Sequence, residues 1–291
     1  MIASVRYTWK PAVTRRAHII GVLCLWPGLA AGCGDIFATR PAPLFSVPLA
    51  IEGEPIGSAV IDTGGGYELL LRDSFGLEVV DMVEVLAFGG KELVGVTEGF
   101  QYTAGGWDST TDAALVGLSV CDCNGLGFHF FRKTGTVLGL DFANPRAMFL
   151  PVVPAGGVTI PFQPPPSFLP SFDSAFVQVE IASQGDTRTV LGLLDTGTNA
   201  SVMRRGLMGT PSSLTPDRLN VTLTIESLGT VAVQVGLFDT AGLPDIILGT
   251  DVMRAWSDRW YFFFAKERGT VTAVPDLESD AVPGNASGLA H

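Results

Sequence analysis

Two copies of the tripeptide Asp-Thr-Gly constrain this chain more than any other feature of its 291 residues. The copies are Asp62-Thr63-Gly64 and Asp195-Thr196-Gly197, and each follows a short apolar run typical of a buried strand. A strand that ends in Asp-Thr-Gly delivers a carboxylate at a turn, where Gly can adopt backbone conformations closed to other residues. The pattern predicts two strand-and-turn units, each presenting one carboxylate.

The surroundings of the two copies match as well, which indicates an internal repeat. Before each motif lies an apolar stretch, residues 45–51 or 176–181, followed by a Gly-containing turn. Each unit is therefore expected to begin as a β-hairpin. Downstream, each unit contains an apolar-apolar-Gly phrase, Val137-Leu138-Gly139 in the first and Ile247-Leu248-Gly249 in the second.

These motifs together resemble the aspartic peptidases, and the short lobes are most similar to retropepsin-like lobes in tandem. The resemblance covers roughly residues 44 to 274. It implies an all-β, bilobal fold of the double-psi barrel type, with two lobes related by a pseudo-twofold axis and an active-site cleft between them. It also implies an aspartic endopeptidase whose catalytic residues are Asp62 and Asp195.

The resemblance assigns supporting roles in the two active-site loops. The threonines would brace the two turns by hydroxyl hydrogen bonds, the motif glycines would let the chains pass closely, and the downstream glycines would pack behind the loops. The residues concerned are Thr63, Gly64, Thr196, Gly197, Thr198, Gly139 and Gly249.

One departure and one flap candidate accompany the resemblance. Pepsins carry Ser or Thr after the motif and retropepsins carry Ala, whereas the first copy continues with Gly65-Gly66. We expect a looser first loop, with the hydrogen bonding of Asp62 left open.

Residues 85–96 are β-rich around a central Gly-Gly, which predicts a mobile hairpin over the cleft. Its tip would be Phe88, Gly89 and Gly90.

The chemistry available to the chain is that of carboxylates. His129 is the one histidine in the body of the chain, which argues against Ser-His-Asp, Cys-His and zinc-protease mechanisms. Two aspartates within about 3 Å cannot both ionise and would share one proton. One carboxylate would then activate a water while the other protonates the scissile carbonyl. No cofactor and no metal are expected.

The N-terminal segment has the pattern of an export signal. Residues 1–32 combine a basic start with a short apolar run and end in small residues before Cys33. This ending resembles a bacterial lipobox, which predicts a lipidated Cys33 and a lipoprotein of the cell envelope. The apolar run is shorter than the about 20 residues that a spanning helix needs. The alternative is an ordinary cleaved signal followed by a chance Cys.

The net charge of the chain limits the classes of partner that it could bind. The formal net charge is −11, and removal of residues 1–32 leaves 14 basic and 29 acidic residues, a charge of −15. An acidic surface argues against binding to nucleic acid or to anionic lipid, so membrane contact would come through the anchor at Cys33. We expect a peptide or protein substrate. A monomer suffices, because each lobe supplies its own aspartate.

Composition sets the predicted domain boundaries, and 47% hydrophobic residues suit a packed core. The segments are a signal at 1–32, a tether at 33–43, an N-terminal lobe at 44–150, a Pro-rich linker at 151–172, a C-terminal lobe at 173–274 and a disordered tail at 275–291. Cys121 and Cys123 are interpreted as incidental thiols, with a metal site as the alternative.

Two other functions stay open beside an extracytoplasmic endopeptidase. One is a catalytically inactive, bilobal peptide-binding lipoprotein, which Gly65-Gly66 and the acidic composition favour. The other is a structural all-β lipoprotein in which the motifs are fortuitous.

Overall fold

The computed structural model describes residues 19–20, 44–87, 90–118, 123–169, 174–209, 217–265 and 269–274. Over these ranges the chain is mostly β, with two short helices. The strands form a ten-stranded sheet, a closed barrel and a five-stranded sheet between them. Neither helix of this described part is long and apolar enough to cross a membrane. The predicted tether with Cys33, the tail, and the predicted signal apart from Ile19–Ile20 lie outside the described residues.

The first lobe contains the ten-stranded sheet and one helix. Its elements are β1 (Ile19–Ile20), β2 (Ser46–Ile51), β3 (Glu54–Asp62), β4 (Leu69–Leu71), β5 (Val79–Ala87), β6 (Gly90–Thr97), β7 (Phe100–Ala104), β8 (Trp107–Thr111), β9 (Leu115–Val116), β10 (Asn124–Gly127) and α1 (Phe128–Thr134). The strand order is β1-β5-β6-β9-β4-β10-β3-β2-β7-β8. Strands β2 and β3 form the hairpin predicted before the first motif.

The predicted flap is the hairpin of β5 and β6. Gly90 begins β6 with a left-handed φ of 117°, whereas Phe88 and Gly89 lie outside the described residues. Beside β5, the short strand β1 pairs in parallel, with Ile19 opposite Val85.

The chain next forms β11 (Val137–Asp141), β12 (Arg146–Leu150) and β13 (Val158–Pro161), and then enters the second lobe. The elements of that lobe are β14 (Phe176–Ser183), β15 (Asp186–Leu194), β16 (Val202–Arg204), β17 (Arg218–Ile225), β18 (Gly229–Phe238), β19 (Ile246–Leu248) and α2 (Thr250–Trp256). The six strands close into a barrel in the order β14-β15-β19-β16-β18-β17. Strands β14 and β15 form the second predicted hairpin.

A shared sheet joins the two lobes. Its last strands are β20 (Arg259–Phe263) and β21 (Thr270–Val274), and its order is β12-β11-β20-β21-β13. Strand β11 from the first lobe pairs with β20 from the second, and β13 comes from the predicted linker. That linker is therefore more than an extended connector. A Pro-rich segment can supply β13 because this strand pairs on one side alone, with β21, at the edge of the sheet.

Alternating burial explains why these segments form strands with one face in the core. Strands β2 and β17 alternate between exposed and buried positions along most of their length. A single apolar cluster runs through both lobes and the shared sheet. Within it, the ring of Phe264 lies 5.7 Å from that of Phe128 in α1 and 5.3 Å from that of Phe162, beside β13.

Candidate active site

Each Asp-Thr-Gly motif begins where a buried strand ends beside a parallel neighbour. Strand β3 ends at Asp62, and Gly127 of β10 lies opposite it. Strand β15 ends at Leu194, opposite Leu248 of β19, so Asp195 is the next residue. Each neighbouring strand leads through a Gly into a short helix. The structure thus builds the same support behind both motifs.

The downstream Gly of the first lobe was predicted wrongly. Gly139 lies in β11 of the shared sheet, where a Cβ would contact Tyr261 and Met148 side chains at 3.1 to 3.3 Å. Behind the first loop lies Gly127, whose Cβ would overlap the carbonyl oxygen of Tyr67. The Val-Leu-Gly sequence of β11 fits the apolar-apolar-Gly pattern, but it does not lie beside the first motif. Strand pairing decides which Gly is next to the motif, and the pattern alone does not contain that information.

Gly249 does lie behind the second loop. A Cβ at this position would come within 2.9 to 3.1 Å of backbone atoms of Thr198 and Ala200. The Thr198 hydroxyl donates to the Ala200 carbonyl at 2.9 Å, which closes the loop on itself. Behind it, the half-buried Asp251 accepts hydrogen bonds from the N–H and the hydroxyl of Ser201. Burial raises the pKa of Asp251.

Reciprocal hydrogen bonds lock the two loops together. The Thr63 hydroxyl donates to the Leu194 carbonyl at 2.8 Å and accepts the N–H of Thr196 at 3.1 Å. The Thr196 hydroxyl donates to the Ile61 carbonyl at 2.8 Å and accepts the N–H of Thr63 at 3.1 Å. All four bonds cross between the lobes and are buried. Each loop is therefore positioned by the other.

This lock brings the two aspartates face to face across the motif glycines. A Cβ on Gly64 would overlap the carboxyl group of Asp195, and a Cβ on Gly197 would lie 2.8 Å from Oδ1 of Asp62 and 3.1 Å from Oδ1 of Asp195. Both aspartates are fully buried. Gly is required at both positions because any side chain would occupy the place of a carboxyl group.

The two carboxyl groups differ in their hydrogen bonds. Oδ2 of Asp62 accepts the hydroxyl of Tyr67 at 2.7 Å, whereas Oδ1 of Asp195 accepts the backbone N–H of Gly197 at 2.8 Å. Oδ1 of Asp62 and Oδ2 of Asp195 are buried and, among the described residues, accept no hydrogen bond from a group outside the pair. Each aspartate thus has one oxygen that no other residue occupies.

Burial raises the pKa of both carboxyl groups. The pKa of Asp62 rises to about 6, although the Tyr67 hydroxyl, the Asp195 carboxyl and the N–H groups of Gly64 and Gly65 oppose the rise. The pKa of Asp195 rises well above its usual value, because burial, the charge of Asp62 and the hydrogen bond with Asp62 all disfavour its ionised form. Between these two values the pair carries one proton.

Tyr67 was missed by the sequence reasoning, and it corrects the expectation of a loose first loop. The Gly after the first motif leaves space for the Tyr67 ring, since a Cβ on Gly65 would lie 2.5 Å from that ring. The signal in the sequence was the run Gly64-Gly65-Gly66-Tyr67 itself, in which residues without side chains directly precede a large aromatic residue.

The cysteine prediction also needs correction. Cys123 is disulfide-bonded, so it is not an incidental thiol, while Cys121 lies outside the described residues. In the described ranges no group of three or more His, Cys, Asp or Glu side chains is arranged to hold a metal ion.

Comparison with known proteins supports the fold. No family model matches the sequence, and no curated protein sequence matches it either. Among solved structures, the aspartic proteinase from Irpex lacteus matches with a TM-score of 0.51 at 12% sequence identity, over 79% of this chain and 94% of that protein. The chain therefore has the bilobal, all-β fold of an aspartic peptidase, as the sequence predicted.

The position of Gly127 behind the first loop can be tested by measuring protein stability. Gly127→Ala should lower the free energy of unfolding by about 1–3 kcal/mol, because its Cβ meets backbone atoms that cannot rotate away. Gly139→Ala is the matched control and should change it by less than about 1 kcal/mol, because its neighbours are side-chain ends. Urea denaturation of both variants measures the difference. Equal destabilisation by the two substitutions would contradict the assignment.

Proposed function

We propose that the chain is an aspartic endopeptidase that hydrolyses peptide bonds through Asp62 and Asp195. The observation that carries the proposal is the meeting of two buried carboxyl groups across two loops held by reciprocal threonine bonds, each carboxyl group having one oxygen with no hydrogen bond from a described residue outside the pair. A pair that shares one proton offers a base and an acid at one place. That is what hydrolysis of an amide by an activated water requires.

The chemical steps follow from the protonation of the pair. The ionised carboxylate removes a proton from a water, and the water oxygen attacks the scissile carbonyl carbon. The protonated carboxyl group gives its proton to the carbonyl oxygen, which produces a neutral tetrahedral intermediate. Collapse of this intermediate breaks the C–N bond as the amine receives a proton from the pair. No covalent bond to the protein forms.

Access to the pair requires movement of the flap hairpin. Both aspartates are fully buried, and Leu86 of β5 lies against Gly242 of the second lobe, at 3.0 Å from a Cβ built there. The outer edge of β5 already pairs with an extended segment of the chain, Ile19–Ile20. Backbone pairing of this kind is how an extended peptide is recognised. A peptide substrate would enter as the hairpin opens and lie beside it.

An inactive peptide-binding protein is the alternative. It would keep the same fold and the same peptide recognition but not the water-activating step. The complete burial of the pair is the observation that favours it, because a site that never opens would not hydrolyse. Of the two, the endopeptidase is our proposal, since peptide binding alone needs no pair of facing carboxyl groups.

The setting of the enzyme is proposed from the sequence. The signal-like segment 1–32 and the lipobox-like ending before Cys33 support export and anchoring at the bacterial cell envelope. The acidic surface supports a peptide or protein partner rather than nucleic acid. Because one chain contains both aspartates, a monomer is sufficient.

Peptide cleavage by the protein without residues 1–32 tests the proposal. Asp195→Asn should lower kcat/KM for a peptide library by a factor of about 10³ or more, because it removes half of a unit that acts together. Asp239→Asn is the matched control, since Asp239 also precedes a Thr but is exposed and paired with Arg205. Pepstatin should inhibit the unmodified protein. Binding of peptides without cleavage would favour the alternative, and equal cleavage by the Asp195 variant would refute the mechanism.

The pH–rate profile provides a second test. Activity needs one ionised and one protonated carboxyl group, so it should fall as the pH drops through the raised pKa of Asp62, about 6. It should fall again at higher pH, when Asp195 loses the shared proton. The optimum is therefore mildly acidic to neutral rather than strongly acidic. A rate that still rises above pH 8 would contradict the shared proton.

A further inference from the structure

We propose that Tyr67 is a positioning residue of the pair: its hydroxyl holds Asp62 as the ionised partner and so leaves the shared proton on Asp195. This inference rests on the proposed function and assigns the two carboxyl groups different roles in it. Asp62 would then be the base that activates the water, and Asp195 the acid that protonates the carbonyl.

The Tyr67 hydroxyl is placed to donate to Asp62. It lies 2.7 Å from Oδ2 of Asp62, and the tyrosine is 4% exposed, so no bulk water competes for the bond. A hydroxyl that donates to a carboxyl oxygen stabilises the charged form of that carboxyl group. A phenol is a stronger donor than a backbone amide such as that of Gly197, which donates to Asp195. The two carboxyl groups of the pair therefore differ in the strength of their hydrogen-bond donors.

The internal repeat breaks at Tyr67. Tyr67 follows Asp62 by five residues, and the residue at the same distance from Asp195 is Ala200. The nearby hydroxyl of Thr198 donates to the Ala200 carbonyl and not to Asp195. The two lobes match in their strands and in their threonine hydrogen bonds, but the second lobe does not repeat the Tyr67 hydroxyl as a donor.

Three glycines make room for Tyr67. A Cβ on Gly65 would meet its ring, a Cβ on Gly125 would overlap its hydroxyl oxygen, and a Cβ on Gly127 would overlap its carbonyl oxygen. Their positions in two separate stretches of sequence show that the cavity is built around the ring. Gly65 is thus explained by Tyr67, because a Ser or Thr side chain there would overlap both the ring and Oδ2 of Asp62.

The Tyr67 ring cannot turn away from Asp62, because it is packed on several sides. Tyr67 belongs to a buried apolar cluster with Val85 and Ala87 of the flap strand β5 and with Leu115 and Leu118. This packing fixes the side chain in the rotamer that aims the hydroxyl at Asp62. It also places the pair and the flap strand β5 against the same residue.

The electrostatics agree with the assignment. In the described part of the chain, Tyr67 and Asp195 are the titratable groups that act on Asp62, and the Tyr67 hydrogen bond lowers its pKa. Burial raises the pKa of Tyr67 well above its usual value, so the phenol stays a neutral donor over the working range. The charge of Asp62 in turn raises the pKa of Asp195, which keeps the proton there.

Tyr67→Phe tests the inference. Loss of the donor should move the acid limb of the kcat/KM profile upward by about one pH unit, since a hydrogen bond to a charged group is worth about that much. At pH 5 the variant should then be about tenfold slower than the unmodified protein, with a smaller difference near the optimum. Tyr102→Phe is the matched control, because it removes a 2.8 Å bond to a different carboxylate, Glu68, and should leave the limb in place.

A second measurement keeps this test separate from the proposed function. The unfolding free energy of Tyr67→Phe, compared with the unmodified protein from pH 4 to 8, should show a deficit that grows with pH, because the raised pKa of buried Asp62 rises further without its donor. This measurement needs no activity. A pH-independent deficit together with an unmoved acid limb would show that Tyr67 only packs, whereas absence of cleavage by the unmodified protein would overturn the proposed function alone.

Discussion

The structure depends on the reciprocal hydrogen bonds between Thr63 and Thr196. Each hydroxyl spans the lobe boundary to a carbonyl and accepts an amide from the other loop, so all four partners are buried and satisfied. Two carboxyl groups placed this close in a buried site repel each other when ionised. The threonine lock, supported by the shared sheet, is what holds them together against that repulsion.

A symmetric framework surrounds an asymmetric pair of acids. Two hairpins, two parallel strand pairs and two helices repeat the same plan around Asp62 and Asp195. The donors to the carboxyl groups do not repeat, because Tyr67 serves the first and the Gly197 amide serves the second. Symmetry brings the acids into contact, and the tyrosine is what distinguishes the base from the acid in our proposal.

The sequence was sufficient for the features that local patterns encode. An apolar stretch followed by a Gly-containing turn predicted both hairpins, and the resemblance carried by the two motifs implied the all-β bilobal fold. It was insufficient where contacts between residues distant in sequence decide which residue fills a position. Gly139 fits its phrase as well as Gly249 does, but β10 and not β11 pairs with β3, so Gly127 is the glycine behind the loop. The role of Tyr67 depends on space left by Gly125, 58 positions away, which no local pattern contains.

A double-mutant cycle on the two aspartates tests the central claim most directly. The unfolding free energies of the unmodified protein, Asp62→Asn, Asp195→Asn and the double variant would be measured at pH 8 and at pH 4. Since both pKa values are raised in the folded protein, either substitution should relieve destabilisation at pH 8. The second substitution should then gain less than the first, with a coupling of about 1 kcal/mol or more that disappears at pH 4. Additive effects at both pH values would contradict a facing pair.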